Sequence, residues 1–133
     1  MGAPQSRRAA RPAGGDRSRE RQRHERRGRL AEHAAALWLN AKGYRILARR
    51  YRTGAGEIDL IAVRRRLLVF VEVKQRPNER EADIAIGEAQ RMRIRSAADL
   101  WLQKRPRLQD HEIRFDVVLI LPWRLPRHLA GAL

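Results

Sequence analysis

The chain contains no cysteine. A disulfide framework and any thiolate metal centre are therefore excluded. That absence fits the cytoplasm, which is the expected location. Lysine is nearly as scarce, with three Lys against 27 Arg. No apolar run approaches the roughly 20 residues that a helix needs to cross a bilayer, so no membrane partner is expected. The amino terminus carries charge but lacks the apolar stretch of a secretory signal. Its acids Asp16, Glu20 and Glu25 argue against an Arg-rich organellar presequence. His24, His33, His111 and His128 show no metal-ligand spacing, which argues against zinc. No glycine-rich phosphate loop, nucleophile elbow or internal repeat is visible.

What the chain has in excess is positive charge. Thirty basic residues face 15 acidic ones, for a formal charge of +15. Such an imbalance points to a polyanion, with nucleic acid the first candidate and an anionic membrane surface the second. A general preference for Arg, which would inflate basicity everywhere, is the competing explanation. The 133 residues suffice for one domain with one core and one sheet. Residues 1–24 have almost nothing to bury and are expected to form a disordered basic arm. Residues 25–133 are expected to form a single domain.

Hydrophobic spacing organises that domain. Leu30, Ala34, Leu37, Trp38 and Ala41 recur at helical intervals and predict a helix over 26–42, with Gly43 as its stop. Residues 44–51, 57–63, 67–74 and 112–121 read as strands. Thr53-Gly54-Ala55-Gly56 reads as a turn. Arg64-Arg65-Arg66 is too short for anything but an antiparallel hairpin. Asp83 is the expected cap of a second helix carrying Ile86, Ala89, Met92, Ile94, Ala97, Ala98, Trp101 and Leu102, which ends at Arg105-Pro106. The tail after Pro122 reads as irregular. The order is α-β-β-β-α-β, an α/β fold with a mixed sheet flanked by helices.

The chemistry concentrates on the second and third strands. Strand side chains alternate with period 2. Glu57 and Asp59 therefore share one face of their strand, and Glu72 and Lys74 share one face of the next. Their neighbours are Ile, Leu and Val, and a carboxylate in such company needs a partner or a metal. Adjacent strands lie about 4.8 Å apart, close enough for Asp59 and Glu72 to reach one ion. A backbone carbonyl near Val73 is the expected third ligand. Mg²⁺ or Mn²⁺ is the cofactor that oxygen donors favour. Lys74 would orient an attacking water or stabilise a pentacoordinate phosphate. A compact ammonium retained in an Arg-rich chain supports that role. Glu57 and Gln90 are expected beside the metal ligands, and Glu32 on the first helix could reach them across the site. Arg64, Arg65, Arg66, Arg76 and Arg91 are candidate phosphate contacts that would not read bases. The competing reading of the strand residues is a solvent-facing ion pair on a half-exposed hairpin.

These residues resemble the PD-(D/E)xK nuclease superfamily, with its restriction-endonuclease-like core. In that pattern an acid on one strand precedes Glu-x-Lys on the next, as Asp59, Glu72 and Lys74 do. The chain is more closely similar to the YraN-like family. The likeness runs through Ala31-Glu32, residues 43–49, 56–62 and 69–76, and Arg114-Phe115-Asp116-Val117-Val118. Archaeal Holliday-junction resolvases are also similar and place a Glu on helix one, which implies a catalytic role for Glu32. Two positions depart from the family pattern: Ala31 stands where Gly is usual, and Ala89 where a basic residue precedes Gln90. The resemblance implies a metal-dependent endonuclease acting on DNA, with branched DNA the implied substrate. By analogy with junction cutters it implies a homodimer. The alternative is a nucleic-acid-binding module on a nuclease fold that cuts nothing, or a basic RNA-associated protein. For Asp116 a structural role is expected.

Overall fold

The computed structural model describes residues 15–83 and 85–133. Helix α1 spans Gly15–Ala41. The strands are β1 (Arg45–Arg52), β2 (Glu57–Arg64) and β3 (Leu67–Gln75). Helix α2 (Glu88–Gln103) follows, then β4 (Glu112–Ile120) and a short β5 (Arg127–Leu129). The five strands lie in chain order, β1-β2-β3-β4-β5. Only β3 and β4 run parallel. A parallel neighbour requires a crossover, and α2 supplies it. The expected mixed sheet and α-β-β-β-α-β order are both present, with β5 added at the end.

Alternation along the strands divides the core. Leu60, Ala62, Val69 and Val71 pack with Ala35, Ala36 and Leu39 of α1. Ile61, Val63, Leu68 and Phe70 pack with Ile94, Ala97, Ala98 and Trp101 of α2. Each strand thus sends neighbouring residues to opposite helices, which is why β2 and β3 read as unbroken apolar runs.

Three connections fix how these layers meet. Gly43, at φ +92°, ends α1. Its N–H donates to Asn40 O at 3.0 Å and the Tyr44 N–H to Leu39 O at 2.9 Å, a Schellman motif. Thr53 closes the β1–β2 turn: its Oγ1 accepts from the Ala55 and Gly56 N–H groups and donates to Gly56 O. Asp116 on β4 is fully buried. Its carboxylate accepts from Arg114 Nε and Nη2, His128 Nε2 and the Gly131 N–H at 2.7–2.9 Å. Those donors hold its pKa well below the usual carboxylate range despite burial. Asp116 therefore tethers β5 and the tail to the sheet.

Several expectations need correction. The α1 stripe faces the wrong way: Leu30 and Leu37 are 69 % and 56 % exposed, whereas Ala31, Ala35, Ala36 and Leu39 are buried. Small side chains let the helix approach the bulky sheet face closely, so size overrode the apolar count. Residues 15–24, assigned to the disordered arm, are helical. Arg, Glu and Gln are good helix formers, and Arg21/Glu25 and Glu25/Arg29 are opposite charges spaced i, i+4. The rest of that arm, residues 1–14, lies outside the described residues. Helix α2 starts at Glu88 with Gly87 as its N-cap rather than after Asp83, and Met92 is 61 % exposed. Among the described residues, no helix is long and apolar enough to cross a membrane.

Candidate active site

The β2–β3 ladder is paired as far as Leu60 and Val71. Beyond that pair the ladder ends, and there Asp59 and Glu72 lie near enough to act on each other's charge. The alternation that buries Leu68 and Phe70 under α2 carries Glu72 and Lys74 to that side of the sheet, whereas β2 breaks its alternation before Ile61, since Ile58 packs under α2 as well. The Val73 N–H donates to Asp59 Oδ2 at 2.8 Å, tying the end of one strand to the other. Lys74 Nζ lies 3.4 Å from Glu72 Oε1, and both side chains are largely buried.

Gln90, on the first turn of α2, joins the two. Its Nε2 donates to Glu72 Oε1 at 3.0 Å, and its Oε1 accepts from Lys74 Nζ at 3.5 Å. The amide orientation follows from chemistry, since the NH₂ faces the carboxylate and the carbonyl faces the ammonium. Gly56 brings α2 within reach. A Cβ there would sit 2.1 Å from the carbonyl oxygen of Arg93, so only glycine permits this approach of helix to turn.

The electrostatics are those of crowded like charges. Burial pushes the Asp59 carboxyl up to about 7, the Glu72 charge pushes the same way, and the Val73 N–H partly offsets both. Glu72 is raised as well, chiefly by burial, with Lys74 opposing. A +15 chain has cations to spare, yet among the described residues only the Lys74 ammonium pairs with these acids. The donor set of two carboxylates and nearby backbone carbonyls suits a hard divalent cation. Among the described residues no third His, Asp or Glu completes a side-chain cluster.

The other expected residues divide. Glu32 does not join the acid pair directly. It accepts from Arg50 Nε at 2.6 Å, although its charge is felt at Asp59. Glu57 stands at the rim, 62 % exposed and 3.6 Å from Arg52. Arg91 follows Gln90 on α2, with its Nε buried and without a partner among the described residues. Arg76 lies two residues beyond Lys74 and donates to Gln75 O. Arg64, Arg65 and Arg66 are at the wrong end. They form the hairpin tip, at least five residues and roughly 17 Å along β2 from Asp59. Arg64 lies 4.3 Å over the Tyr44 ring and donates to Lys42 O at 3.1 Å, closing the end of α1. Arg66 pairs with Asp110 at 2.5 Å. Charge in a sequence does not say which end of a hairpin it will occupy.

Sequence reasoning missed Arg50. It adopts φ +49° within β1, turning its guanidinium to Glu32, and the Asp59 charge reaches it too. A left-handed non-glycine residue in a strand leaves no trace in the sequence.

The layered sheet, the neighbouring acids and the Glu-x-Lys pair define the restriction-endonuclease-like class. Within that class the chain belongs to the Uncharacterised protein family UPF0102, the YraN family, whose profile matches residues 31–120. A UPF0102 protein of Agrobacterium fabrum is 51 % identical over 115 residues, covering 86 % of this chain and 94 % of its own. One of Nitrobacter winogradskyi is 55 % identical over 105 residues, covering 79 % and 89 %. One of Paramagnetospirillum magneticum is 49 % identical over 119 residues, covering 86 % and 92 %.

Proposed function

We propose that the protein is a metal-dependent endonuclease that hydrolyses phosphodiester bonds in DNA, with branched DNA as the first substrate to test. The observation that carries this reading is the meeting of Asp59 and Glu72 at the parting of β2 and β3, with Lys74 against Glu72. Asp59 and Glu72 would hold Mg²⁺ or Mn²⁺, helped by a carbonyl near Val73. When bound, the ion would offset charge on the phosphate and lower the pKa of a water.

The remaining work falls to the chain itself. Lys74 Nζ has one donor to spare after meeting Glu72 and Gln90, with which it can orient the attacking water or hold a phosphate oxygen. Gln90 fixes Glu72 and Lys74 relative to each other. The Val73 N–H fixes Asp59. Glu57 adds negative charge at the rim, and Glu32 anchors Arg50. Arg91 and Arg76, near the site, can meet substrate phosphates. A cut on both strands of a branch would call for two copies of the chain.

The test is cleavage of branched, nicked and linear DNAs with Mg²⁺ or Mn²⁺. We expect activity in the parent and at least a 100-fold loss in both Asp59→Ala and Lys74→Ala, the scale of losing a group that acts in the transition state. Activity that survives both substitutions would belong to a contaminant. Binding without cleavage on every substrate would make the protein a nucleic-acid-binding module on a nuclease fold.

A further inference from the structure

Between α1 and β1 lies a cavity of about 590 Å³ lined by Arg26, Arg29, Glu32, His33, Arg49 and Arg50, with Leu30 at its wall. Four guanidinium groups share it with one carboxylate, and that carboxylate is taken by Arg50. Arg50 uses only its Nε for Glu32, so its two Nη groups have no acceptor among the described residues. Arg49 Nη1 meets nothing more than His33 Nδ1, at 3.5 Å. Like charges gathered in a concave, partly apolar setting focus a positive potential.

The position of this groove gives it meaning. Arg49 and Tyr51 of β1 pair with Leu60 and Ile58 of β2, which puts Arg50, and Glu32 bonded to it, beside Asp59. The groove therefore borders the acid pair on the β1 side. It also opens onto the part of α1 that the sheet does not cover. No described side chain before Ala31 is buried, and that stretch carries Arg17, Arg19, Arg21, Arg23, Arg26, Arg27 and Arg29 against Asp16, Glu20 and Glu25. A helix with no apolar side chain over its first four turns offers chiefly charge to a partner.

We propose that this groove is a binding site for the phosphate backbone of DNA. It grips the arm lying on one side of the acid pair, and the exposed part of α1 continues the track. Arg50, held by Glu32, is the positioning link between the track and the acids. The inference rests on the nuclease reading and adds to it a direction: substrate is held along α1 and β1, not at the Arg64–Arg66 hairpin tip.

The test is the salt dependence of binding to a fluorescent duplex of about 20 base pairs, by anisotropy, with EDTA present so that nothing is cut. The triple variant Arg26→Ala/Arg29→Ala/Arg49→Ala leaves Arg50 and the acids in place. A control, Arg80→Ala/Lys104→Ala/Arg107→Ala, removes the same charge from exposed positions elsewhere. Each phosphate contact contributes about 0.9 to the slope of log affinity against log salt. The groove variant should therefore lose about 2.7 from the slope, and the control almost nothing. Equal losses in the two variants, or no loss in the first, would overturn the groove. Failure of the parent itself to bind DNA at low salt would overturn the nuclease reading, and the groove with it. Thermal midpoints of both variants establish that each is folded.

Discussion

Asp59→Asn should melt above the parent at pH 8, by on the order of 5–10 °C. The parent holds a carboxyl whose pKa is about 7 in the fold, against about 3.9 in an unfolded chain. From about pH 4 to 7 the folded form keeps a proton that the unfolded form releases. Stability therefore falls as pH rises through that window and stays low above it. The full effect is up to about 4 kcal/mol. Asparagine removes the charge while keeping an oxygen for the Val73 N–H. The gain should shrink towards zero near pH 4, where the parent carboxyl is protonated as well. Thermal unfolding of both proteins from pH 4 to 8 measures this. Parallel curves, with no convergence at low pH, would mean that the Asp59 charge costs the fold nothing. The same substitution should abolish cleavage, so a more stable protein would be an inactive one, as expected where a site is held together for chemistry.

Gly56→Ala should destabilise the protein by about 3 kcal/mol or more, in the range that marks backbone overpacking. The added Cβ would meet the Arg93 carbonyl carbon at 2.6 Å and its oxygen at 2.1 Å. Both are helix backbone and neither can swing aside. The outcome would be a displaced α2 rather than a tolerated methyl. Because Gln90 lies one turn before Arg93, its bridge to Glu72 and Lys74 should loosen at the same time. Urea unfolding gives the first effect. Cleavage by whatever fraction remains folded gives the second, and an active, fully stable Gly56→Ala protein would show that α2 does not depend on this approach.

The site was legible where side-chain alternation alone decides direction. Asp59 and Glu72 come to the same end of the sheet because the Arg64–Arg66 turn permits only one kind of hairpin. Lys74 follows from Glu72 by period 2. Gln90 was legible as a residue at the start of the helix after the Glu-x-Lys strand, although its two partners were not. Features governed by packing or by unusual backbone were hidden. The buried face of α1 is set by small alanines against a bulky sheet, which a count of large apolar residues assigns to the wrong side. Strand β5 is three residues long and held through the His128–Asp116 contact rather than by its own apolar pattern. Arg50 reaches Glu32 through a backbone angle that no neighbouring glycine announces. The Arg64–Arg66 cluster was conspicuous by charge, but it serves the end of α1 and Asp110.

Anomalous diffraction from crystals grown with Mn²⁺, in parent and Asp59→Asn forms, tests the account at its centre. The expected result is one strong peak in the parent, bonded to carboxylate oxygens of both Asp59 and Glu72, and no peak there in the variant. Mn²⁺ at saturating concentration that leaves those oxygens bare, or that settles on other residues, would contradict it.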